Sequence, residues 1–393
     1  MSKTIIKAQI FSFLLMLAMA GSAWAWPPLE VNKKADTKLS KRITKGFKTS
    51  GLTKLEVNNK YGEVILETWQ KDSIKVEITL TTYGKNESAA EKLMDRVDVD
   101  FRQVDDFVSV ESAFDRSRGF FSDLWNSVGD YSKTILNKSK IKIDYRIYMP
   151  ENTSLDLTNK FGDVFLPDLM GKVTLDLGNG ALKADRLMGQ VAIYISFGEA
   201  RIKSFDEAKV TLKSAELELK SANKLELRSS SSDININDLR SLRIDSRTDK
   251  INIGELSTLQ GNASFTKIRL DHIGHSINVD MNYGFLDVFE VPADFSNIDI
   301  TGNSTDVTLT FEQSSHATLD VTTKVDKLDL PKQVSNIKQR YTDGREKFVT
   351  TTGYLGKLNN NPSDVTIDAQ GGDVTLNVFQ EEIDNDQSSK KYK

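Results

Sequence analysis

The chain has 393 residues, 38% of them hydrophobic, and a formal net charge of −4. That length suffices for a substantial core, and the acidic balance argues against duplex nucleic acid as a partner. With no cysteine, disulfides, thiolate metal sites and a cysteine nucleophile are excluded.

Residues 1–25 read as a signal peptide. Lys3 and Lys7 precede an apolar run from Ile10 to Ala20, and Ala23-Trp24-Ala25 supplies a small-x-small cleavage site. Cleavage after Ala25 leaves 50 basic against 56 acidic residues, a net charge of −6. The apolar run is shorter than the about 20 residues of a membrane span, and no other stretch approaches that length. The expectation is an exported protein, periplasmic or at the cell surface or extracellular, with no transmembrane segment after signal cleavage. Residues 26–50 carry Lys33, Lys34, Lys38, Lys41, Arg42, Lys45 and Lys48 without strand or helix periodicity, and read as a basic extended leader.

Residues 51–112 hold a first coil, with Leu55, Val57, Val64 and Leu66 around Asn59-Lys60-Tyr61-Gly62, followed by N-terminal strands and a short helix. Ile74 to Leu80 alternates as a strand, Ser88 with Glu91 predicts a capping box, and alternation resumes from Val97 to Val110. Residues 113–140 form an aromatic, amphipathic insertion in which Phe120, Phe121, Trp125, Tyr131 and Leu136 fall mostly at helical spacing. Two readings fit it: a cap over an open end of the array, or a helix that docks on a membrane surface or partner. Residues 141–330 are a regular array, 331–362 an excursion, 363–380 a final coil with Val365, Ile367, Val374 and Leu376, and 381–393 a polar, disordered tail.

The array is defined by one spacing. Val164, Leu182, Ala200, Leu217, Ile234, Ile251, Ile268, Leu286, Val307 and Leu328 follow one another at 18, 18, 17, 17, 17, 17, 18, 21 and 21 residues. Each has a second apolar residue two places on. A second pair lies nine and seven places back, as in Val173 and Leu175, except before Leu217, where it slides to Val210 and Leu212, and at Gly261. A third apolar column five places forward runs through Leu169, Leu187, Phe205, Ala222, Leu239, Leu256, Ile273 and Val291. Such a period with two short strands per turn predicts an all-β fold, a right-handed parallel β-solenoid with coils of 17–18 residues and an N-terminal strand and helix elaboration. Stacked at about 4.8 Å, ten coils make a rod roughly 45 to 50 Å long. Gly62, Gly162, Gly180, Gly198, Gly284 and Gly372, two places before position zero, are expected to supply the positive φ of a sharp corner.

The segments Asn59-Lys60-Tyr61-Gly62-Glu63-Val64 and Asn159-Lys160-Phe161-Gly162-Asp163-Val164, with Leu177-Gly178-Asn179-Gly180 and Ser196-Phe197-Gly198-Glu199, resemble a family of exported bacterial adhesin-like proteins of unknown function. That family is related to the autotransporter adhesin head domain, a β-solenoid. The resemblance covers most of residues 50 to 380 and implies a non-enzymatic envelope or adhesin role; it carries over no catalytic residues.

Glu199, Glu216 and Asp233 occupy the place before position zero in three successive coils, with Glu218 beside them. Stacked carboxylates either hold a cation or are neutralised along the column, and Arg201, Lys250 and Lys267 favour neutralisation. The same acids satisfy the separation of a glycosidase pair, but coils this short build no cleft walls. Asp271-His272-Ile273-Gly274-His275 places two histidines around an inward isoleucine with no third ligand nearby. Asn235 and Asn252 suggest an amide ladder. The reading is a non-catalytic, exported cell-envelope β-solenoid, with no cofactor, no metal and no nucleic acid, acting in adhesion, surface-polymer binding or envelope scaffolding. Its expected partner is a cell-surface polysaccharide or an envelope or matrix protein, met through Phe120, Phe121, Trp125, Tyr131, Glu199, Glu216, Glu218 and Asp233. The alternative is a polysaccharide-active enzyme that uses the outward carboxylates.

Overall fold

The computed structural model describes residues 36–50, 53–114, 140–342, 348–357 and 362–379. The insertion residues 115–139, including Phe120, Phe121, Trp125 and Tyr131, lie outside these, as do residues 1–35 and 380–393. The first elements are β1 (Thr37–Lys48), β2 (Lys54–Tyr61), β3 (Val64–Thr68), β4 (Ser73–Gly84), α1 (Glu87–Met94), β5 (Val97–Val104), β6 (Phe107–Phe114) and β7 (Ile141–Met149). The regular coils comprise β8 (Ser154–Phe161), β9 (Val164–Leu166), β10 (Val173–Gly178), β11 (Ala181–Leu187), β12 (Val191–Ser196) and β13 (Glu199–Lys213). They continue through β14 (Glu216–Ser230), β15 (Asp233–Arg247), β16 (Lys250–Ser264), β17 (Lys267–Val291) and β18 (Asn297–Phe311). The last elements are β19 (Ala317–Lys324), β20 (Leu328–Asp329), β21 (Val334–Tyr341), β22 (Phe348–Leu355), β23 (Ser363–Asp368) and β24 (Val374–Val378).

These strands form a parallel β-solenoid of about 9 turns with coils about 18 residues apart. Alternation puts every second side chain inside, so each coil presents one apolar row to each of two parallel faces. On the first face, Val164, Leu182, Ala200, Leu217, Ile234, Ile251 and Ile268 are register partners on successive strands, and all are buried. On the second, Leu155, Val173, Val191, Ala208, Leu225, Leu242, Leu259, Ile277 and Ile298 align in the same way. The strand before Leu217 therefore does not slide: Ala208 keeps the register as a small inward residue. Each fully buried aliphatic contributes about 1.5–3 kcal/mol by leaving water, and no coil could bury its row without its neighbours. At Gly261 the inward row is interrupted because the backbone takes φ +122, and a Cβ would stand 2.0 Å from the Ile244 carbonyl oxygen.

The first corner departs from the expectation built on glycine. Positive φ falls at Gly62 and Gly162, but in the later coils it moves one residue earlier, to Asn179, Phe197, Ser214, Ser231, Thr248, Phe265, Tyr283 and Ser304. Gly180 and Gly198 are needed for close approach instead: a Cβ there would lie 2.1 and 2.3 Å from the carbonyl oxygen of the glycine one coil back.

At the N-terminal end β7 pairs in parallel with β3, β4 runs antiparallel to β7, and β1 runs antiparallel to β4. Residues 37–48 are thus an edge strand, which corrects their reading as a leader without strand periodicity. On the other face β6 joins β2 in parallel and β5 turns back on β6, so the run from Val97 to Val110 is a hairpin, not one strand. The rings of Phe47 on β1 and Phe101 on β5 meet at 6.2 Å and bring the two sheets together. Helix α1 starts two residues earlier than a Ser88 cap would place it. Asn86 is the N-cap, extended at φ −153, and its Oδ1 accepts from the Ala89 amide at 2.9 Å.

The C-terminal end is out of sequence order. β23 lies between β18 and β19, and β24 between β18 and β20, so the coil of residues 363–378 is inserted ahead of the coil that precedes it in the chain. The excursion contains β21 and β22, which extend the second face as antiparallel strands beyond β19.

Candidate functional site: the turn edge of the stack

Register places Glu199, Glu216, Asp233, Lys250 and Lys267 in one column on the first face. Neutralisation along the column is what the geometry shows. Arg201 Nε donates to Glu218 Oε2 at 2.9 Å and its Nη2 reaches Glu199 at 3.4 Å, while Lys250 Nζ lies 3.2 Å from Asp233. The bond to Glu218, then the charge of Glu199, holds the Arg201 guanidinium more firmly protonated than usual. Glu216 makes no ion pair among the described residues. Asn252 Nδ2 donates to Asn235 Oδ1 at 2.9 Å, so the amide ladder is present. Among the described residues no three His, Cys, Asp or Glu side chains converge as a metal site would require.

Behind this column the first corner contains buried polar groups, among them Asp249, whose pairing sequence reasoning did not reach; Ser229 to Ser232 read only as turn chemistry. The Asp249 carboxylate is buried and accepts from Ser229 Oγ and Ser246 Oγ, both at 2.6 Å, from the Ser232 amide at 2.7 Å and from the Arg247 amide at 3.1 Å. Four donors compensate for the lost hydration. Nearer the N-terminus, Asn159 Nδ2 donates to the carbonyls of Gly62 and Gly162 at 3.0 and 2.9 Å, and Asn59 Nδ2 to Asn159 Oδ1 at 3.2 Å. The Asn-Lys-aromatic-Gly motif is therefore a buried amide tying adjacent turns. The available signal was columnar: Ser232, Asp249 and Thr266 stand where other coils have glycine.

The tips of the same turns carry the residues in left-handed conformation. Phe197 at φ +54, Phe265 at +54 and Tyr283 at +56 are 66%, 55% and 49% exposed. For a residue with a Cβ this conformation costs roughly 1–2 kcal/mol. An open strip of about 810 Å³ runs along the tips at Asn179, Phe197, Ser214 and Ser231 and is also lined by Asp163, Glu199, Glu216 and Asp233.

The second corner has a groove of about 830 Å³ that sequence reasoning did not single out. Its floor dips at Ala222, partly exposed between the buried Phe205 and Leu239, and Asp238, Glu255 and His272 line one side. Its signal was the small Ala222 in a column of otherwise large apolar residues. His272 faces Glu290 at 3.8 Å, His275 is exposed, and Ile273 between them is buried.

No protein-family profile matches the chain, and no curated protein matches it. A solved structure of a candidate cell adhesion protein from Clostridium sporogenes is similar over 87% of this chain and 100% of its own, at 9% identity and a TM-score of 0.18. So low a score does not superpose the two chains as wholes.

Proposed function

We propose that the protein is a non-catalytic binding rod, exported to the cell envelope, which presents its turn edge to a surface polymer. The observation that carries this reading is the strip along the first corner. It is shallow, spans several coils and has no enclosing loops, a shape suited to an extended polymer. Two of its carboxylates, Glu199 and Asp233, are engaged by Arg201 and Lys250. Export is supported by Lys3, Lys7, the run from Ile10 to Ala20 and the Ala23-Trp24-Ala25 site. Among the described residues no helix is long and apolar enough to cross a membrane.

One observation favours a polysaccharide-active enzyme as a second reading. Glu199 and Glu216 are register neighbours at a spacing of about 5 Å, which fits a retaining carboxylate pair. Surface plasmon resonance of the purified protein against immobilised envelope polysaccharides and matrix proteins tests the first reading. Saturable binding to a polymer is the expected result; binding to none of them would overturn it.

A further inference from the structure

We infer that Phe161 and Phe197 form a slot on the turn edge that sandwiches one pyranose ring of an uncharged glycan chain. The inference rests on the proposed polymer-binding role and names the polymer's chemical class. The turn itself does not call for aromatic residues. Asn179, Ser214, Ser231, Thr248 and Ser304 hold the same left-handed position with φ between 48 and 61. Small polar residues suit that conformation and meet water without cost, whereas a phenyl ring there is unfavourable on both counts. Phe197 nevertheless occupies it, two-thirds exposed, and among the described residues no other ring touches it.

Where two neighbouring tips are both aromatic, they stack. Tyr61 and Phe161 lie 5.4 Å apart at 17°, and Phe265 and Tyr283 lie 5.1 Å apart at 9°. Phe161 and Phe197 are not neighbours and do not stack, because Asn179 stands at the tip between them. Two coil spacings separate them, on the order of 10 Å, which is the separation of two rings with one flat ring-sized group between. The gap is flanked by polar groups that suit hydroxyls. Asn179 is exposed, and Asp163 Oδ1 accepts from the Ala181 amide at 2.9 Å, leaving its second oxygen to accept from a ligand. Asp163, Glu199 and Glu216 line the same strip and would repel a uronic-acid or phosphate-bearing chain. Sugar C–H groups stacking on the rings, with hydroxyls donating to carboxylates, is the recognition chemistry this arrangement provides.

The test uses the full mature protein and Kd values for oligosaccharides of the cellulose and chitin types, with polygalacturonate as the acidic probe. Asn179→Phe fills the slot with a ring, as at Phe265 and Tyr283, and is expected to leave folding intact while weakening neutral-glycan binding by about tenfold or more. Phe197→Ser, which copies Ser214, is expected to weaken binding equally without lowering Tm. If a polymer binds and both variants bind it like the wild type, the slot is wrong and the polymer-binding role survives. Preferential binding of polygalacturonate overturns the uncharged class. Binding of no polymer overturns both, and a dimer abolished by Phe197→Ser would reassign the edge to a second copy of the chain.

Discussion

Tyr145 sits inward on β7, its ring buried and its hydroxyl without a hydrogen-bond partner. The nearby Ser112 hydroxyl points its one proton at the Asn58 carbonyl and Asn59 Oδ1. Burial, the largest cause, pushes the phenol well above its ordinary value of 10. The unfolded chain therefore loses this proton first, and the stability the group contributes is complete below pH 10 and lost as pH rises beyond it. Tyr145→Phe should be neutral at pH 7 or stabilise by up to about 1 kcal/mol, since it removes an unpaired polar atom. Above pH 10 it should flatten the decline in Tm that calorimetry would record for the wild type; an unchanged decline would mean the hydroxyl is solvated. At this scale the apolar columns were legible, because inward residues such as Ile234, Ile251 and Ile268 recur at a fixed spacing. Asp249 and Asn159 were not, because a buried carboxylate or amide looks like a surface residue until its donors are placed around it. Phe197 stood out only as part of the segment Ser196-Phe197-Gly198-Glu199, and Phe265 and Tyr283 not at all, because a left-handed φ leaves no periodic trace.

Strand β1 is the exposed edge of the first face, and Leu39, Ile43 and Phe47 point to the side that packs on the core. Lys41 and Lys45 alternate with them on that side yet remain exposed. Charges interrupting an apolar stripe on an edge strand oppose pairing with another chain. They also explain why the strand was illegible: the lysines convert period two into period four, and the segment resembles a solvated basic run. Replacing both lysines by valine should restore a continuous apolar stripe. Light scattering should then detect self-association of the folded protein at concentrations below roughly 100 µM, where the wild type stays monodisperse. A double variant that remains monomeric would show that β1 is protected by something other than its charges.

The whole stack was legible as a solenoid because a near-constant interval leaves few alternatives, but its axial order was not. Nothing in the spacing of Val307, Leu328 and Val374 says that Val374 lies between the other two. That insertion has an energetic consequence. A chain ending at residue 362 lacks β23 and β24, so Ile298, Ile300, Val307 and Leu309 lose their partners and β19 and β20 lose their seat. Such a truncation should lower Tm and expose dye-binding apolar surface, a larger effect than loss of a terminal coil; an unchanged melting curve would contradict the insertion. The open strip along the turn edge follows from the same stacking, since short turns in register make a track and build no walls. The claim that this track binds without cleaving is tested most directly by following the reducing ends of a bound polysaccharide over time. No new ends should appear, at any protein-to-polymer ratio, while the complex persists. Accumulation of reducing ends by the wild type, abolished in Glu216→Gln with binding retained, would contradict it and make the outward carboxylates a catalytic pair.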